Sequence, residues 1–215
     1  MEQLLKLERA FLDPVATREQ LAEFYQESVK QNFWGILLRS SRLEQASHDL
    51  GDSELKISCL VGAGAVDKDV KRFETEVAVD YGAHEIYLIP AIAQLKDGAW
   101  DYVLREMRDV VEAADERAVK VMIEPNLLSA AELERAVALT LESGAQYIVS
   151  STSNNSALLD EIRRLRDLAG NEFGLIASVP DNNFDNQLLA EAGANRVLLL
   201  NNSSRRSYLE QSYAI

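Results

Sequence analysis

Residues 119–151 read VKVMIEPNLLSAAELERAVALTLESGAQYIVSS, and the pattern within this stretch decides the fold. A short apolar run, Val119–Glu124, precedes a longer stretch in which apolar residues recur every three or four positions. A second apolar run, Gln146–Ser151, follows it. The pattern predicts a strand, an amphipathic helix and another strand. Ser129 and Glu132 have the spacing of a capping box at the start of that helix.

The same alternation recurs along the rest of the chain. Further strands are predicted at Leu7–Leu12, Trp34–Arg39, Leu55–Gly62, Glu85–Pro90, Phe173–Ser178 and Arg196–Leu200. Gly82, Gly144 and Gly193 each stand where a helix ends and a strand begins, a position that favours glycine. Repeated units of this kind predict a parallel sheet covered by helices, within a single domain of residues 1–215. Periodicity alone allows both a closed barrel and an open doubly wound sheet.

One glycine-containing turn is similar to a dinucleotide-binding motif. The segment Val61–Asp67 (VGAGAVD) follows a predicted strand and precedes a predicted helix. Its third glycine is missing, and Asp67 stands in that place, where a carboxylate would repel a pyrophosphate. We therefore interpret Gly62 and Gly64 as turn residues.

Composition excludes several classes of function. The 215 residues carry 35 acidic and 22 basic side chains, and the net charge of −13 argues against nucleic-acid and membrane partners. The single cysteine, Cys59, and the two histidines, His48 and His84, predict neither a disulfide nor a zinc site. The charged start of the chain, Met1–Arg9, is unlike a signal peptide. We expect a cytoplasmic protein without a metal or a cofactor.

Five segments resemble the deoxyribose-phosphate aldolase family. They are Leu12–Thr17 (LDPVAT), Val70–Glu74 (VKRFE), Tyr81–Ile86 (YGAHEI), Lys120–Leu128 (KVMIEPNLL) and Glu191–Arg196 (EAGANR). The likeness runs in register over most of the chain, and the order and spacing of the segments make it specific. The resemblance implies a (β/α)8 TIM barrel with its active site at the carboxyl ends of the strands.

The resemblance also implies catalytic residues that this chain lacks. The family forms a Schiff base on a lysine, lowers the pKa of that amine with a second lysine, and transfers protons with an aspartate. The three aligned positions hold Val149, Ile176 and Tyr87. We therefore predict that imine chemistry has been lost while the hydrocarbon replacements keep the barrel packed.

The remaining lysines are placed elsewhere in the predicted fold. Lys56 and Lys120 begin strands, which predicts positions at the base of the barrel. Lys68, Lys71 and Lys96 fall in or beside helices. None is expected to reach the catalytic face.

The phosphate-binding segments of the family are altered as well. The resemblance places them at residues 179–182 and 200–204, where the family uses glycine amides. Here Pro180 removes a donor and Asp181 adds a negative charge. Deoxyribose 5-phosphate is expected to bind poorly.

Polar residues nevertheless follow the predicted strands. They are Arg39, Ser40, Glu124, Asn126, Ser151, Thr152, Ser178, Asp181, Asn201 and Asn202. Arg39 and Glu124 are candidates for ligand binding, with their pairing to each other as an equal alternative. For Ser151, Ser178 and Asn201, hydrogen bonds to loop backbone are the simpler interpretation. Tyr87 is a candidate acid/base phenol or a packing residue.

Three functional hypotheses follow. The first is a family member without Schiff-base catalysis that binds a small carbonyl compound or an anionic metabolite, or that is non-catalytic. The second is a lyase or isomerase for a small carbonyl compound, with Glu124 or Tyr87 as base and Arg39 as anion binder. The third is a subunit of a larger assembly such as a homo-oligomer, in which the chain end Tyr208–Ile215 acts as a docking tail.

Overall fold

Eight parallel strands alternate with helices along the chain. The computed structural model describes residues 5–64, 66–151, 158–180 and 184–200, and for Ser151 it describes the backbone only. The strands are β1 (Lys6–Phe11), β2 (Gly35–Arg39), β3 (Lys56–Val61), β4 (Glu85–Leu88), β5 (Ala118–Ile123), β6 (Tyr147–Ser151), β7 (Gly174–Pro180) and β8 (Arg196–Leu200). All of the predicted strands are present, with ends that differ by at most two residues.

The strands close into a barrel in the order of the chain, β1 to β8. Closure depends on the pairing of the last strand with the first, in which Val197 lies beside Leu7 and Leu200 beside Ala10. An open doubly wound sheet has two unpaired edges, so this pairing excludes that alternative. The predicted (β/α)8 barrel is confirmed.

Helices cover the outer surface of the barrel. The described helices are α1 (Arg18–Lys30), α2 (Leu43–Leu50), α3 (Lys68–Asp80), α4 (Ile92–Lys96), α5 (Trp100–Ala113), α6 (Ala130–Ser143), α7 (Leu158–Ala169) and α8 (Asn186–Glu191). Ser129 and Glu132 form the predicted capping box at the start of α6. Thr17 and Gln20 form a second capping box at the start of α1, which the sequence analysis missed.

The barrel has two hydrophobic clusters, one on each side of the strands, because successive strand residues point to opposite faces. The outward residues pack against the helices, and the buried Cys59 is one of them. The inward residues fill the barrel axis. This inner cluster consists of Ala10, Leu12, Leu37, Leu60, Tyr87, Ile89, Met122, Val149, Ile176, Leu198 and Leu200.

Gly62 is a turn residue, as predicted, and it is also a point of close packing. Its φ of +85° is unfavourable for residues with a side chain. A Cβ atom there would lie 2.8 Å from the Ile89 carbonyl oxygen and 2.9 Å from Cε of Lys71. Gly62 thus allows the ends of β3 and β4 and the helix α3 to approach one another.

Four charged residues lie buried inside the lower half of the barrel, and we call them the basal ion cluster: Glu8, Glu85, Lys120 and Arg196. Nζ of Lys120 lies 2.7 Å from Oε2 of Glu8 and 2.7 Å from Oε2 of Glu85. A guanidinium nitrogen of Arg196 lies 3.1 Å from Glu8 and 2.9 Å from Glu85. Two carboxylates and two cations therefore balance each other within the barrel.

Charge compensation decides the direction of the pKa shift for Glu85 and Arg196. Burial raises the pKa of Glu85, but the charges of Lys120 and Arg196 outweigh burial and bring that pKa below its usual range. Burial lowers the pKa of Arg196, yet Glu85 and Glu8 outweigh it and raise that pKa. The ionised forms of both residues are therefore the stable ones in the folded protein.

No helix in the described part of the chain is long and apolar enough to cross a membrane.

Replacement of Lys120 tests the basal ion cluster. We expect Lys120→Met to lower the free energy of unfolding by about 3–5 kcal/mol, because two buried carboxylates would then share one cation. Chemical denaturation measures this change. Lys68→Met is the matched control, since Lys68 pairs with Asp69 at the surface and its loss should have little effect. Equal stability of the two variants would contradict a structural role for the cluster.

His84 provides a test that depends on pH. Its Nδ1 accepts a hydrogen bond of 3.1 Å from the amide of Ile57, which requires an unprotonated Nδ1. Burial, followed by the charge of Lys56, lowers the pKa of His84 below 6.5. The unfolded chain therefore binds more protons as the pH falls through about 6.5, and the free energy of unfolding should decrease over that interval.

In His84→Gln the amide oxygen accepts the same hydrogen bond without titrating. Denaturation series at several pH values should show a flatter dependence near pH 6.5 for this variant than for the wild type. Identical slopes for His84→Gln and the wild type would refute the assignment.

Candidate active site

The carboxyl ends of the strands form the mouth of the barrel, the end that carries active sites in this architecture. Arg39 ends β2, Glu124 follows β5, and Ser178 lies two residues before the end of β7. Each stands two residues after a member of the inner cluster, in the inward phase. Alternation of side chains therefore directs all three toward the barrel axis. The structure brings these predicted residues together at one end.

The other predicted mouth residues are distributed differently. Ser40 follows β2 and contacts Glu74, and Asn126 is exposed after β5. Thr152, Asp181, Asn201, Asn202 and the side chain of Ser151 lie outside the described residues.

Glu124 and Ser178 are polar side chains in a buried setting. Glu124 is 4% exposed and Ser178 is 2% exposed. Oγ of Ser178 has no hydrogen-bond partner among the described residues. A buried polar atom normally has a partner, so this hydroxyl can bond to a molecule that enters the mouth.

Arg39 is held at the rim by the backbone that follows β1. Its Nε donates a hydrogen bond of 2.7 Å to the carbonyl oxygen of Leu12. Burial lowers the pKa of Arg39, and the carboxylates of Glu74 and Asp13 oppose this effect. The guanidinium is thus a half-buried cation fixed beside the mouth, and its pairing with Glu124 stays a prediction.

Glu74 organises the rim and was missed as a site residue. Its two oxygens accept hydrogen bonds of 2.9 Å each, from the hydroxyl of Ser40 and from the amide of Gly62. It therefore joins the ends of β2 and β3 from its place on α3. Lys71, Thr75 and Ala78 form the buried face of α3. Glu74 stands beside this face, and a carboxylate in such a position was the feature of the sequence that could have indicated its role.

A buried ion pair fixes the end of β4 from the helix side. Nζ of Lys71 lies 2.5 Å from Oε1 of Glu106 and donates to the carbonyl oxygen of Ile89 at 2.9 Å. The other oxygen of Glu106 accepts from the amide of Ala91 at 2.8 Å. Burial raises the pKa of Glu106, although the charge of Lys71 opposes it. Both groups are thus engaged in holding the loop after β4.

Val149 and Ile176, which the resemblance aligns with the two lysines of the family, are hydrocarbon side chains. Val149 and Ile176 are 0% exposed and belong to the inner cluster. They are direct partners in the pairing of β6 with β7, and Met122 is the neighbour of Val149 on β5. These side chains form an apolar belt across the barrel below the mouth.

Tyr87, which the resemblance aligns with the family's aspartate, is directed into the barrel. Its phenol is fully buried and donates a hydrogen bond of 2.7 Å to Oε2 of Glu8. Burial, followed by the charge of Glu8, raises the pKa of Tyr87 well above its usual value. Tyr87 is therefore a neutral donor that joins the belt to the basal ion cluster.

The lysines on inward positions lie toward the base of the barrel. Lys6 and Lys56 begin β1 and β3, and Lys120 belongs to the basal ion cluster. Lys68 and Lys96 pair with Asp69 and Glu132 outside the barrel.

The described residues contain no group of three or more histidine, cysteine, aspartate or glutamate side chains that could hold a metal ion.

Comparison with known proteins gives a consistent family. No family profile matches the chain. Among curated proteins, a deoxyribose-phosphate aldolase of Clostridium botulinum is 32% identical over 196 residues, which cover 89% of this chain and 92% of the relative. One of Thermococcus gammatolerans is 32% identical over 195 residues, covering 86% and 87% of the two chains.

Solved structures agree with this result. An aldolase named QR15 superposes with a TM-score of 0.84 at 25% identity, over 98% of this chain and 96% of that one. A tetrameric deoxyribose phosphate aldolase from Aeropyrum pernix shares the fold with a TM-score of 0.80 at 24% identity, over 95% and 88% of the two chains. The barrel, the ordered motifs and these relatives lead to one conclusion: the chain belongs to the deoxyribose-phosphate aldolase family.

Proposed function

We propose that this family member does not form a Schiff base and that its barrel mouth binds a small carbonyl compound or an anionic metabolite. The observation that carries the proposal is the burial of Val149 and Ile176 at the two aligned lysine positions. Imine formation needs a neutral amine within reach of a carbonyl carbon, and a hydrocarbon side chain supplies none.

The buried lysines support the proposal because both are engaged elsewhere. Nζ of Lys120 contacts two carboxylates in the basal ion cluster. Nζ of Lys71 contacts Glu106 and the Ile89 carbonyl oxygen behind β4. Neither amine is thus free to attack the carbonyl carbon of a substrate.

The mouth keeps groups suited to a small polar ligand. Arg39 supplies a half-buried positive charge, Glu124 a buried carboxylate and Ser178 an unpartnered hydroxyl among the described residues. A guanidinium matches the geometry of a carboxylate or a phosphate. The predicted roles of Ser151, Asn201 and Asn202 in ligand binding remain part of this proposal.

Acid/base lyase or isomerase chemistry is the second candidate, and the buried carboxylate of Glu124 favours it. A base must reach the bound substrate, and Glu124 stands at the mouth whereas the phenol of Tyr87 points to Glu8 below the belt. The geometry thus supports Glu124 over Tyr87 as the base.

Homo-oligomer formation is a further part of the proposal. Val70, Phe73 and Tyr81 are 49%, 65% and 41% exposed on or just after α3, and apolar surface of this kind favours association. The relative from Aeropyrum pernix is tetrameric. The predicted docking role of Tyr208–Ile215 falls outside the described residues.

Borohydride trapping tests the loss of imine chemistry. The protein is incubated with deoxyribose 5-phosphate or acetaldehyde and reduced, and intact-mass spectrometry should then show no stoichiometric lysine adduct. The Clostridium botulinum relative serves as the comparison, where an adduct is expected. A specific adduct on any lysine of this chain, located by peptide mapping, would overturn the proposal.

Ligand binding at the mouth is tested through Arg39. Small carboxylates and phosphates should raise the melting temperature of the wild type, because a ligand that binds only the folded state stabilises it. Arg39→Met should abolish this shift, while Arg108→Met, which removes a surface arginine paired with Glu142, should preserve it. Equal shifts in the two variants would place anion binding elsewhere.

A further inference from the structure

A cavity of about 790 Å³ lies between α1 and α2, away from the mouth. Its apolar wall includes Ala22, Tyr25, Val29 and Leu50, and its polar rim includes Arg18, Gln26, Lys30, His48, Asp49 and Ser53. The volume lies within the range of sites for small organic molecules.

A second cavity of about 940 Å³ adjoins it at the amino-terminal end of the barrel. The two share Val29 and Ser53, and we call the surface that they line together the basal cleft. The second part is lined by Leu5, Lys6, Leu7, Asn32, Phe33, Trp34, Glu54, Leu55, Lys56 and Asn186 as well. Aromatic, aliphatic, polar and charged side chains thus line this part together.

The lysines at this cleft differ from the other lysines of the chain in their ion pairing. Lys68, Lys71, Lys96 and Lys120 each form an ion pair. Lys6, Lys30 and Lys56 form none within the described part of the chain, and all three line the basal cleft. In a protein with a net charge of −13, a local group of uncompensated cations is an unexpected feature.

The carboxylates at the cleft do not neutralise these lysines. Asp49 lies 3.5 Å from Arg18 and 3.2 Å from His48, so it is already engaged. Glu54 is exposed and forms no ion pair in the described residues. Lys6 lies over the ring of Trp34 at 3.4 Å from its centre, a contact that leaves its charge uncompensated.

Two buried hydrogen-bond donors belong to residues that line the basal cleft. The hydroxyl of Tyr25, a residue only 4% exposed, and Nε1 of Trp34 have no partner among the described residues. Burial, followed by the charge of Asp49, raises the pKa of Tyr25 to about 12, so its phenol is a donor at neutral pH. Two donors and three cations beside an apolar wall are complementary to a negatively charged acceptor on an apolar body.

We propose that the basal cleft is a second binding site, which takes an organic anion with a flat apolar body. The anionic group binds between Lys30 and Lys56, and the apolar body lies along Val29 toward Phe33. Because the cleft lies at the opposite end of the barrel from Arg39 and Glu124, this site is independent of the function proposed for the mouth.

The probe for the test is 8-anilinonaphthalene-1-sulfonate, an aromatic anion, with N-phenyl-1-naphthylamine as its uncharged counterpart. Titration calorimetry on the folded full-length chain should show saturable binding of one anion per chain. The uncharged compound should bind at least about tenfold more weakly. Equal affinity for the two compounds, or the absence of saturable binding, would overturn the proposal.

Matched charge removals locate the site. The double variant Lys30→Gln/Lys56→Gln should raise the Kd of the anion at least about tenfold. The control Lys68→Gln/Lys96→Gln lowers the net charge by the same amount and should leave the Kd within about twofold of the wild type. Equal weakening in the two variants would show a general charge effect and refute the site.

Tryptophan emission tests whether the anion binds near Trp34. The sequence has two tryptophans, Trp34 and Trp100, so Trp100→Phe leaves Trp34 as the only emitter. Binding of the anion should change this emission with the same Kd as the calorimetry, and Tyr25→Phe should weaken binding by removing a donor. Unchanged Trp34 emission at saturation would place the anion outside the basal cleft. The results of these binding experiments do not depend on whether the borohydride experiment yields an adduct, so the two proposals are tested separately.

Discussion

The basal ion cluster is the constraint on which the interior of this barrel depends. Lys120 on β5 contacts Glu8 on β1, and Arg196 on β8 contacts Glu85 on β4, so the contacts cross the barrel axis. Buried charges are tolerable only when compensated, and here two carboxylates meet two cations. The phenol of Tyr87 completes the coordination of Glu8 and thereby fixes an aromatic ring in the centre of the barrel.

Much of the fold could be predicted because local pattern encodes it. The strand Arg196–Leu200 is a continuous apolar run, and the capping box at Ser129 marks the start of α6 with local groups alone. Closure was not predictable from periodicity, since an open sheet buries the same strands. The family motifs favoured the closed barrel over the open sheet, and the pairing of Leu7 with Val197 confirms the closed barrel.

The candidate site was predictable only in part, for a physical reason. The places of Val149 and Ile176 follow from strand register, which motif alignment preserves. The contact of Lys120 with Glu8 joins residues 112 positions apart, and no local pattern reports such a pairing. Glu74 was likewise missed, because its role depends on how α3 packs against the ends of β2 and β3.

The apolar belt around Val149, Ile176 and Met122 has a consequence for the two ends of the molecule. Protons move through proteins along chains of hydrogen-bonding groups, and hydrocarbon side chains offer no such path. The belt therefore offers no path for proton transfer along the barrel axis. Acid/base chemistry at the mouth cannot draw its protons from the base of the barrel through these side chains.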